Sequence, residues 1–265
     1  VVRAAGGEVT PGFALTIHAY RRFLEGTGIA ERLEALGSAT RLTSEQRSER
    51  ARRLILDAKL SAKTGVGQEI LAGLAALGLD KTPLAVRSSS HMEDSSNQPF
   101  AGLYQTCMLP NQAQDTALRL DHLCQAIKLV YASIFKTSVK CYFQTLKLNT
   151  EEEKMALIVQ ELVGRHYGDL FYPAISGVAQ SFNYYPFARM ESEDGVASVA
   201  LGFGKMVVEG GETLRFCPRY PTILPQAATD LKVRQRGLEV VVEFAYPKAT
   251  VAGLPLPGLD EITLF

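Results

Sequence analysis

The hydrophobic positions in the first part of the chain recur mostly at helical spacing. From Leu123 to Ile134 an apolar residue recurs every three or four positions, which places these residues in one stripe of a helix. Thr43 and Gln46 have the spacing of a capping box, in which each side chain accepts a bond from the other residue's amide where a helix begins. The predicted helices lie at residues 17–26, 29–36, 44–63, 67–78 and 115–147.

The pattern changes near residue 155. Met155–Val159 is a continuous apolar run, which is typical of a buried strand. Further strands are predicted at 84–86, 176–187, 196–201 and 238–244, and the last of these is rich in β-branched valine. A helix-rich first part and a strand-rich second part predict an α+β fold in two lobes, with a boundary near residue 155.

Composition and charge argue against several classes of binding partner. Of the 265 residues 46% are hydrophobic and 21% are charged, which is ordinary for a globular protein. Lysine plus arginine and aspartate plus glutamate both number 28, so no excess charge indicates nucleic acid or an anionic membrane. No apolar run approaches the ~20 residues that span a bilayer.

The four cysteines lie in separate segments without a C-x-x-C pair. A zinc site or a redox pair is therefore not expected, and a chain of this size does not need a disulfide framework. We expect four reduced, mostly structural thiols in a cytoplasmic protein. The chain opens Val-Val-Arg, without a methionine or a signal-like pattern, so we expect its natural start to lie upstream.

Residues 84–90 carry the strongest local signal for chemistry. A short apolar strand at 84–86 delivers Arg87 to a run of small hydroxyl residues, Ser88–Ser90, which we expect to form a loop. Arginine suits bidentate contact with phosphate, and small hydroxyl residues with their amides are natural ligands for a polyanion. A solvated serine-rich loop after a strand explains the same residues, and the residues alone leave both interpretations open.

Two further segments could contact a nucleotide. Ala200–Gly211 is rich in glycine, which allows close backbone approach, and Lys205 could add a positive charge for phosphate. A glycine-rich hairpin turn explains this segment equally well, and it matches neither a P-loop nor a Rossmann fingerprint. Val159–Gly164 closes an apolar strand with polar residues, which could present backbone groups to an adenine edge or could form a solvated strand end.

A carboxylate in the last long strand is a candidate metal ligand. Glu243 lies between Val242 and Phe244, and a carboxylate in such apolar company needs a partner. A metal ion is one possible partner, and an arginine in a buried ion pair is another.

Six segments follow one another in an order that matches the motifs of one family. They are Val9–Phe13, Ala85–Ser89, Tyr131–Phe135, Val159–Val163, Ser176–Ala179 and Leu201–Gly204. In this order they resemble the V-P-P-G-F, A-V-R-S-S, W-A-S-L-F, V-Q-x-M-V, S-G-V-A and G-L-G-E motifs. These motifs belong to the N-terminal nucleotide-binding domain of the phosphoenolpyruvate synthase / pyruvate phosphate dikinase family. The matches cover most of the chain, and their common order makes the resemblance specific.

The resemblance implies an ATP-grasp-like fold with ATP between two lobes, a helix-rich lobe at 1–155 and a strand-rich lobe at 156–265. It implies an ATP-dependent phosphotransferase, in which Mg-ATP phosphorylates a histidine on a separate domain on the way to pyruvate. The partners would be the phosphohistidine and pyruvate-binding domains. Arg87 would be the catalytic residue at the ATP phosphates, and Glu243 would bind Mg²⁺. The other implied nucleotide contacts are Ser88, Ser89, Gln160, Glu161, Leu162, Val163, Gly202, Gly204 and Lys205.

Three positions depart from the family pattern. Val241 replaces the first acid of the metal strand, Lys205 replaces a glutamate, and Phe182 replaces an arginine. The family's G-G-K lysine would precede Val1, and its closing Q-x-R-P segment would follow Phe265. These departures favour a second hypothesis, in which the chain is a degenerate nucleotide-binding or sensing module of a multidomain signalling protein, without turnover.

Overall fold

The structure is a computed structural model of the chain. It describes residues 7–60, 65–90, 103–145, 155–209, 213–223, 229–236 and 239–245, the last two stretches as backbone only. The chain divides into two compact units, Val1–Phe171 and Tyr172–Phe265. Helices and strands are both present in quantity, so the α+β class predicted from the sequence agrees with the structure.

The first unit contains most of the helix. Its helices are α1 (Ile17–Gly26), α2 (Ala30–Gly37), α3 (Ser44–Asp57), α4 (Gly65–Leu77), α5 (Thr116–Ala132) and α6 (Thr137–Thr145). Its strands are β1 (Gly12–Leu15), β2 (Leu84–Ser90), β3 (Cys107–Leu109), β4 (Met155–Glu161) and β5 (Arg165–Tyr167), and β6 (Leu170–Tyr172) ends at the boundary. The second unit contains β7 (Ile175–Gln180), β8 (Val196–Leu201), α7 (Lys205–Glu209), β9 (Leu214–Phe216), β10 (Thr229–Arg236) and β11 (Glu239–Ala245).

A four-stranded antiparallel sheet in the order β1-β4-β2-β3 organises the first unit. One face of the sheet is apolar, and Val86, Leu157 and Val159 on it are fully buried in one cluster with residues of the helices. The predicted stripe of α5 belongs to the same cluster, and its residues from Leu123 to Ile134 are buried. Along β4 buried residues alternate with half-buried ones, because a strand directs successive side chains to opposite faces. The boundary near residue 155 stays a prediction, and β4 pairs with strands of the first unit.

Aromatic packing joins the first and fifth helices. The ring of Tyr131 in α5 lies 4.6 Å from that of Tyr20 and 5.8 Å from that of Phe23, centroid to centroid. Burial raises the pKa of the Tyr20 and Tyr131 phenols above the usual range. These tyrosines are therefore core residues.

Helix α3 begins as predicted and ends early. Thr43 Oγ1 accepts a bond from the Gln46 amide at 3.2 Å, and the Gln46 side chain accepts one from the Thr43 amide at 3.0 Å, which confirms the capping box. The helix ends at Asp57 instead of residue 63, because Ala58 is extended. The buried Lys128 ammonium donates to the carbonyls of Leu56 at 2.7 Å and Ala58 at 3.2 Å and caps this end.

The helix predicted at 115–147 is two helices. A 3₁₀ turn at Ser133–Phe135 and an extended Lys136 separate α5 from α6. Ser133 Oγ donates to the Val130 carbonyl at 2.6 Å and accepts a bond from the Gln105 amide at 3.2 Å. This contact with a distant residue stabilises the break.

Two strand predictions need correction. The strand predicted at 84–86 continues to Ser90, so Ser88–Ser90, predicted as a loop, belong to β2, because β4 supplies the whole pairing ladder as far as Ser90 opposite Met155. Strand β7, predicted to reach residue 187, ends at Gln180, which pairs with the first residue of β8. Gly195 just before β8 has a positive φ of 72°, which is outside the extended conformation of a strand, so the ladder does not continue through it. A Cβ atom at residue 195 would lie 2.6 Å from the Gln180 carbonyl oxygen.

The second unit has a three-stranded antiparallel sheet in the order β7-β8-β9 and a hairpin formed by β10 and β11. The same unit contains a small hydrophobic cluster, which is formed by Met190, Cys217 and Ile223. All four cysteines of the chain are free thiols, as predicted. Among helices α1–α7 of the described residues, none combines the length and apolar character that a bilayer span requires.

Candidate nucleotide site

Strands β2 and β4 bring Arg87 and Gln160 to one face of the four-stranded sheet. Arg87 pairs with Ile158, and Gln160 pairs with Ala85, so these residues share the face opposite to the buried Val86. Arg87 is exposed, and no carboxylate in the described part of the chain forms an ion pair with it. A cation in this position is available to an anionic ligand.

Most residues on the same face as this arginine are small. We call this surface the Arg87 face; its residues are Gly12, Ala14, Ala85, Arg87, Ser89, Met108, Ala156, Ile158 and Gln160. A Cβ atom at Gly12 would lie 2.7 Å from the Val159 carbonyl oxygen and 3.0 Å from the Gln160 Cα atom. Such a surface leaves the backbone close to any ligand laid across it, with Arg87 as its charged group.

The serines after Arg87 divide between the two faces. Ser89 pairs with Ala156 on the Arg87 face, whereas Ser88 pairs with Leu157 and belongs to the core face. Both serines are half-buried. The strand therefore aligns Ser89, and not Ser88, with the arginine, and the predicted role of Ser88 stays a prediction.

An open cleft of about 960 Å³ lies at the end of β4. Three of the predicted adenine-binding residues line it, Glu161, Leu162 and Val163. Its volume is within the range of small-molecule ligand pockets. The Gln160 side chain donates a hydrogen bond to Thr10 Oγ1, and Thr10 also lines the cleft. This bond connects the Arg87 face to the cleft.

Two prolines leave the end of β4 half paired. The Glu161 amide donates to the Pro11 carbonyl at 2.9 Å, and the Leu162 amide donates to the Pro83 carbonyl at 2.8 Å. In a hydrogen-bonded antiparallel pair the two residues exchange both bonds, but proline has no N–H to return. The carbonyl oxygens of Glu161 and Leu162 therefore receive no bond from the neighbouring prolines.

The next residue adds a donor. The amide of Val163 makes no hydrogen bond among the described residues, and its side chain is exposed. Along an extended chain the carbonyl of one residue and the amide two positions later lie on the same edge. Glu161 and Val163 thus present an acceptor and a donor side by side, the pattern that the Watson–Crick edge of adenine complements.

Further residues that line the cleft are Thr10, Pro11, Pro83 and Phe171. Thr10 and Pro11 belong to the motif at Val9–Phe13, whereas Pro83 and Phe171 belong to none of the sequence patterns. The ring of His166 packs edge-on against Phe171, with the centroids 5.1 Å apart, and the His166 Nε2 atom lies 3.4 Å from the side-chain nitrogen Nε2 of Gln112. Prolines just before two strands were a usable signal, because they remove ladder donors. No sequence pattern identifies Phe171, because only the tertiary structure brings it to the cleft.

The glycine-rich segment lies in the second unit. Gly202 has a positive φ of 75°, and its amide donates to the Ala174 carbonyl at 3.1 Å. At Gly204 a Cβ atom would lie 3.3 Å from the Ser176 Cβ atom, so the segment passes close to β7. Lys205 begins the short helix α7, which lies in the connection between the antiparallel neighbours β8 and β9, and its side chain lies outside the described atoms.

The candidate metal ligand lies in β11. Glu243 is opposite Lys232 and Val241 is opposite Arg234 in the hairpin with β10. The Glu243 side chain lies outside the described atoms. The described residues contain no group of three or more histidine, cysteine, aspartate or glutamate side chains that could hold a metal ion.

A family model and several curated proteins are similar to this chain. The family model described as "Pyruvate phosphate dikinase, AMP/ATP-binding domain" matches residues 1–239. The phosphoenolpyruvate synthase of Aeropyrum pernix is 27% identical over 216 residues, which cover 79% of this chain and 24% of that protein. The phosphoenolpyruvate synthase of Pseudomonas aeruginosa is 28% identical over 217 residues, 78% of this chain and 24% of that protein. The chain spans about a quarter of the length of these curated relatives.

Proposed function

Because the chain belongs to the family of pyruvate phosphate dikinase AMP/ATP-binding domains, we propose that ATP binds with its phosphates on the Arg87 face and its adenine in the cleft at the end of β4. The membership confirms the resemblance predicted from the sequence motifs. The observation that carries the placement is the register of β2 and β4, which puts Arg87 and Gln160 on one face, with Gln160 bonded to a residue of the cleft.

Adenine recognition uses the half-paired end of β4. The 6-amino group of adenine donates to the Glu161 carbonyl, and the Val163 amide donates to the neighbouring ring nitrogen. Guanine presents an oxygen at position 6, which would face the Glu161 carbonyl and leave two acceptors unpaired. An unpaired buried acceptor costs roughly 1–3 kcal/mol, so we expect ATP to bind about 10- to 100-fold more tightly than GTP.

Phosphate binding is the task of Arg87. Its guanidinium makes charge-assisted, bidentate bonds to phosphate oxygens, and Ser89 beside it offers a hydroxyl donor. We further propose that Gly202, Gly204 and Lys205 contact the phosphates in an ATP-grasp arrangement of two lobes. Support for this part comes from family membership and from the loop that the glycines form.

A magnesium ion would be held by Glu243 together with phosphate oxygens. Magnesium takes oxygen ligands and is often bound through one or two carboxylates plus substrate phosphates, so a single glutamate fits it while Val241 adds no ligand. When bound, the ion supplies neutralisation of phosphate charge. The residues of this chain bind and orient the nucleotide.

The proposed activity is phosphoryl transfer from ATP to a histidine on a separate domain, and from there towards pyruvate. The named relatives are phosphoenolpyruvate synthases about four times as long as the matched part. Arg87 would stabilise negative charge as the phosphoryl group leaves, which is the main catalytic work in such transfers. The phosphohistidine and pyruvate-binding domains are the proposed partners.

Calorimetry with ATP on the full chain tests the site. Replacing Arg87 with alanine removes a charge-assisted hydrogen bond worth roughly 1.5–3 kcal/mol, so we expect affinity to fall about 10- to 100-fold. Arg32→Ala on the exposed surface of α2 is the matched control and should leave affinity unchanged. A loss much below tenfold for Arg87→Ala would count against the site.

The metal strand favours a second candidate function, a nucleotide sensor without turnover. Val241 removes one acid, and a site with fewer metal ligands depends less on the ion. Titration of ATP with and without Mg²⁺ separates the two. Strong dependence on Mg²⁺ supports the phosphotransferase, and equal affinity in both conditions supports the sensor.

A further inference from the structure

The hairpin formed by β5 and β6 brings an aromatic ring to the cleft at the end of β4. The two strands are joined by Gly168 and Asp169, and Gly168 has a positive φ of 62°, which short hairpin turns favour in glycine. Phe171 in β6 is half-buried and lines the cleft. It is the only aromatic residue among the described residues of the cleft lining.

The lining of the cleft suits the base of a nucleotide and not its phosphates. Where the structure describes this lining, it contains the acidic residues Glu8 and Glu161 and no lysine or arginine. Val9 and Val163 also line the cleft, and they are 45% and 61% exposed. Apolar side chains left exposed together in one cleft favour an apolar ligand group over a charged one.

A histidine that is not among the described lining residues supports the Phe171 ring. His166 in β5 meets this ring edge to face, with the centroids 5.1 Å apart and the ring planes at 68°. Gln112, between β3 and α5, can donate from its side-chain nitrogen to His166 Nε2, 3.4 Å away, when that ring nitrogen carries no proton. In an edge-to-face pair one ring covers at most one face of the other. Phe171 therefore keeps a face that His166 does not cover.

We propose that Phe171 stacks on the adenine ring of ATP and that His166 is the positioning residue that orients it. This inference rests on the proposed placement of adenine in the cleft. The backbone groups of Glu161 and Val163 contact the edge of the base, and Phe171 covers one of its faces. Stacking is tolerant of base identity because every base has a π-face. Phe171 therefore contributes affinity for the nucleoside and leaves the choice between ATP and GTP to the backbone.

Calorimetry on the full chain with ATP and with inorganic triphosphate, which has no base, tests the role of Phe171. Phe171→Ala should lower ATP affinity about 5- to 150-fold, the range for loss of one base–aromatic stack. Triphosphate affinity should change less than twofold, and the ratio of ATP to GTP affinity should stay the same. Tyr167→Ala is the matched control and should bind ATP like the wild type. Tyr167 is an exposed aromatic residue of the same hairpin and is not among the described residues that line the cleft.

The role of His166 is tested by a pair of variants. His166→Ala should weaken ATP binding about 2- to 10-fold and leave triphosphate binding unchanged, because the aromatic contact that orients Phe171 is lost. His166→Phe keeps a ring beside Phe171 and should recover most of this loss. Equal losses for ATP and triphosphate in His166→Ala would overturn the positioning role, since they would show a general structural defect.

A fluorescence measurement covers the case in which Phe171→Ala fails to fold. The chain has no tryptophan, so Phe171→Trp adds its only indole and keeps a ring for stacking. ATP should quench this fluorescence saturably and triphosphate should not, whereas the indole of Tyr167→Trp should respond to neither. If the wild type binds ATP but Phe171→Ala loses no affinity or Phe171→Trp gives no response, the inference is overturned and the proposed function stands. Failure of the wild type to bind ATP overturns both.

Discussion

Gly12 of β1 and Gln160 of β4 are paired so closely that their Cα positions leave no room for a side chain at residue 12. A Cβ atom there would lie 3.0 Å from the Gln160 Cα atom and 2.7 Å from the Val159 carbonyl oxygen. Both atoms belong to backbone, which cannot move aside as a flexible side chain can. The glycine therefore allows the edge strand β1 to lie close to β4, beside the adjoining cleft.

Gly12→Ala should lower both stability and ATP affinity. Forcing a methyl group into a packed position costs roughly 1–3 kcal/mol, and displacement of β1 would move Thr10 away from Gln160. Urea unfolding gives the first effect and calorimetry with ATP the second. Gly26→Ala at the end of α1 is the control, since a Cβ atom there meets nothing within 4 Å. Equal stability of the two variants would show that β1 is free to shift.

The prolines before β1 and β2 provide a test of adenine recognition. Pro11→Ala adds an N–H that can bond to the Glu161 carbonyl, so the carbonyl is no longer available to adenine, and the preference for ATP over GTP should fall about tenfold. Pro83→Ala adds the equivalent N–H opposite Leu162 and should keep the preference. Competition binding of ATP and GTP to both variants is the measurement. Loss of the preference in Pro83→Ala alone would assign adenine to the Leu162 carbonyl instead.

Lys128 is expected to matter for stability and not for nucleotide binding. Lys128→Met keeps the length of the side chain but leaves the carbonyls of Leu56 and Ala58 without their donor. Loss of hydrogen bonds from a charged group costs roughly 1.5–3 kcal/mol, which urea unfolding can resolve. Lys59→Met, at an exposed neighbouring position, should have little effect. If Lys128→Met left the free energy of unfolding unchanged, the result would mean that water replaces the ammonium at the end of α3.

Acid should destabilise the second unit through Asp194. The Glu191 amide donates to this carboxylate at 2.9 Å and Arg219 donates at 2.7 Å, and these bonds hold the pKa of Asp194 below its usual range. A depressed pKa contributes stability above the unfolded value of about 3.9, and this contribution is lost as the pH falls through the folded value. Thermal unfolding of wild type and Asp194→Asn should differ most near neutral pH and converge in acid. Parallel curves down to about pH 2 would contradict the assignment.

Local signals in the sequence were sufficient for several elements. The capping box of Thr43 and Gln46 and the buried stripe of α5 depend on neighbours in the chain, and both are present in the structure. The break after α5 was missed because Ser133 is held by Gln105, which is distant in sequence. Ser88–Ser90 form a strand and not the predicted loop because their strand partner is the equally distant β4. Serine has no strong preference for a strand, so only the partner determines this conformation.

The candidate site shows the same division. Arg87 and the segment from Gln160 to Val163 could be identified from residue types and motif order. Their placement on one face and beside one cleft required the register of β2 and β4, which the sequence does not contain. Ser88 illustrates the limit, because its neighbour Ser89 has the same chemistry and lies on the other face of the sheet.

The shared register of β2 and β4 also limits how this protein can change. A one-residue insertion or deletion within β4 would exchange its two faces, since strand side chains alternate with a period of two. Val159 would then lie beside Arg87, and Gln160 would enter the helical core. The register of this one strand therefore determines both the packing of the core and the side chains of the Arg87 face. Length variation in this family domain should therefore collect in the connections around β4 and be absent within it.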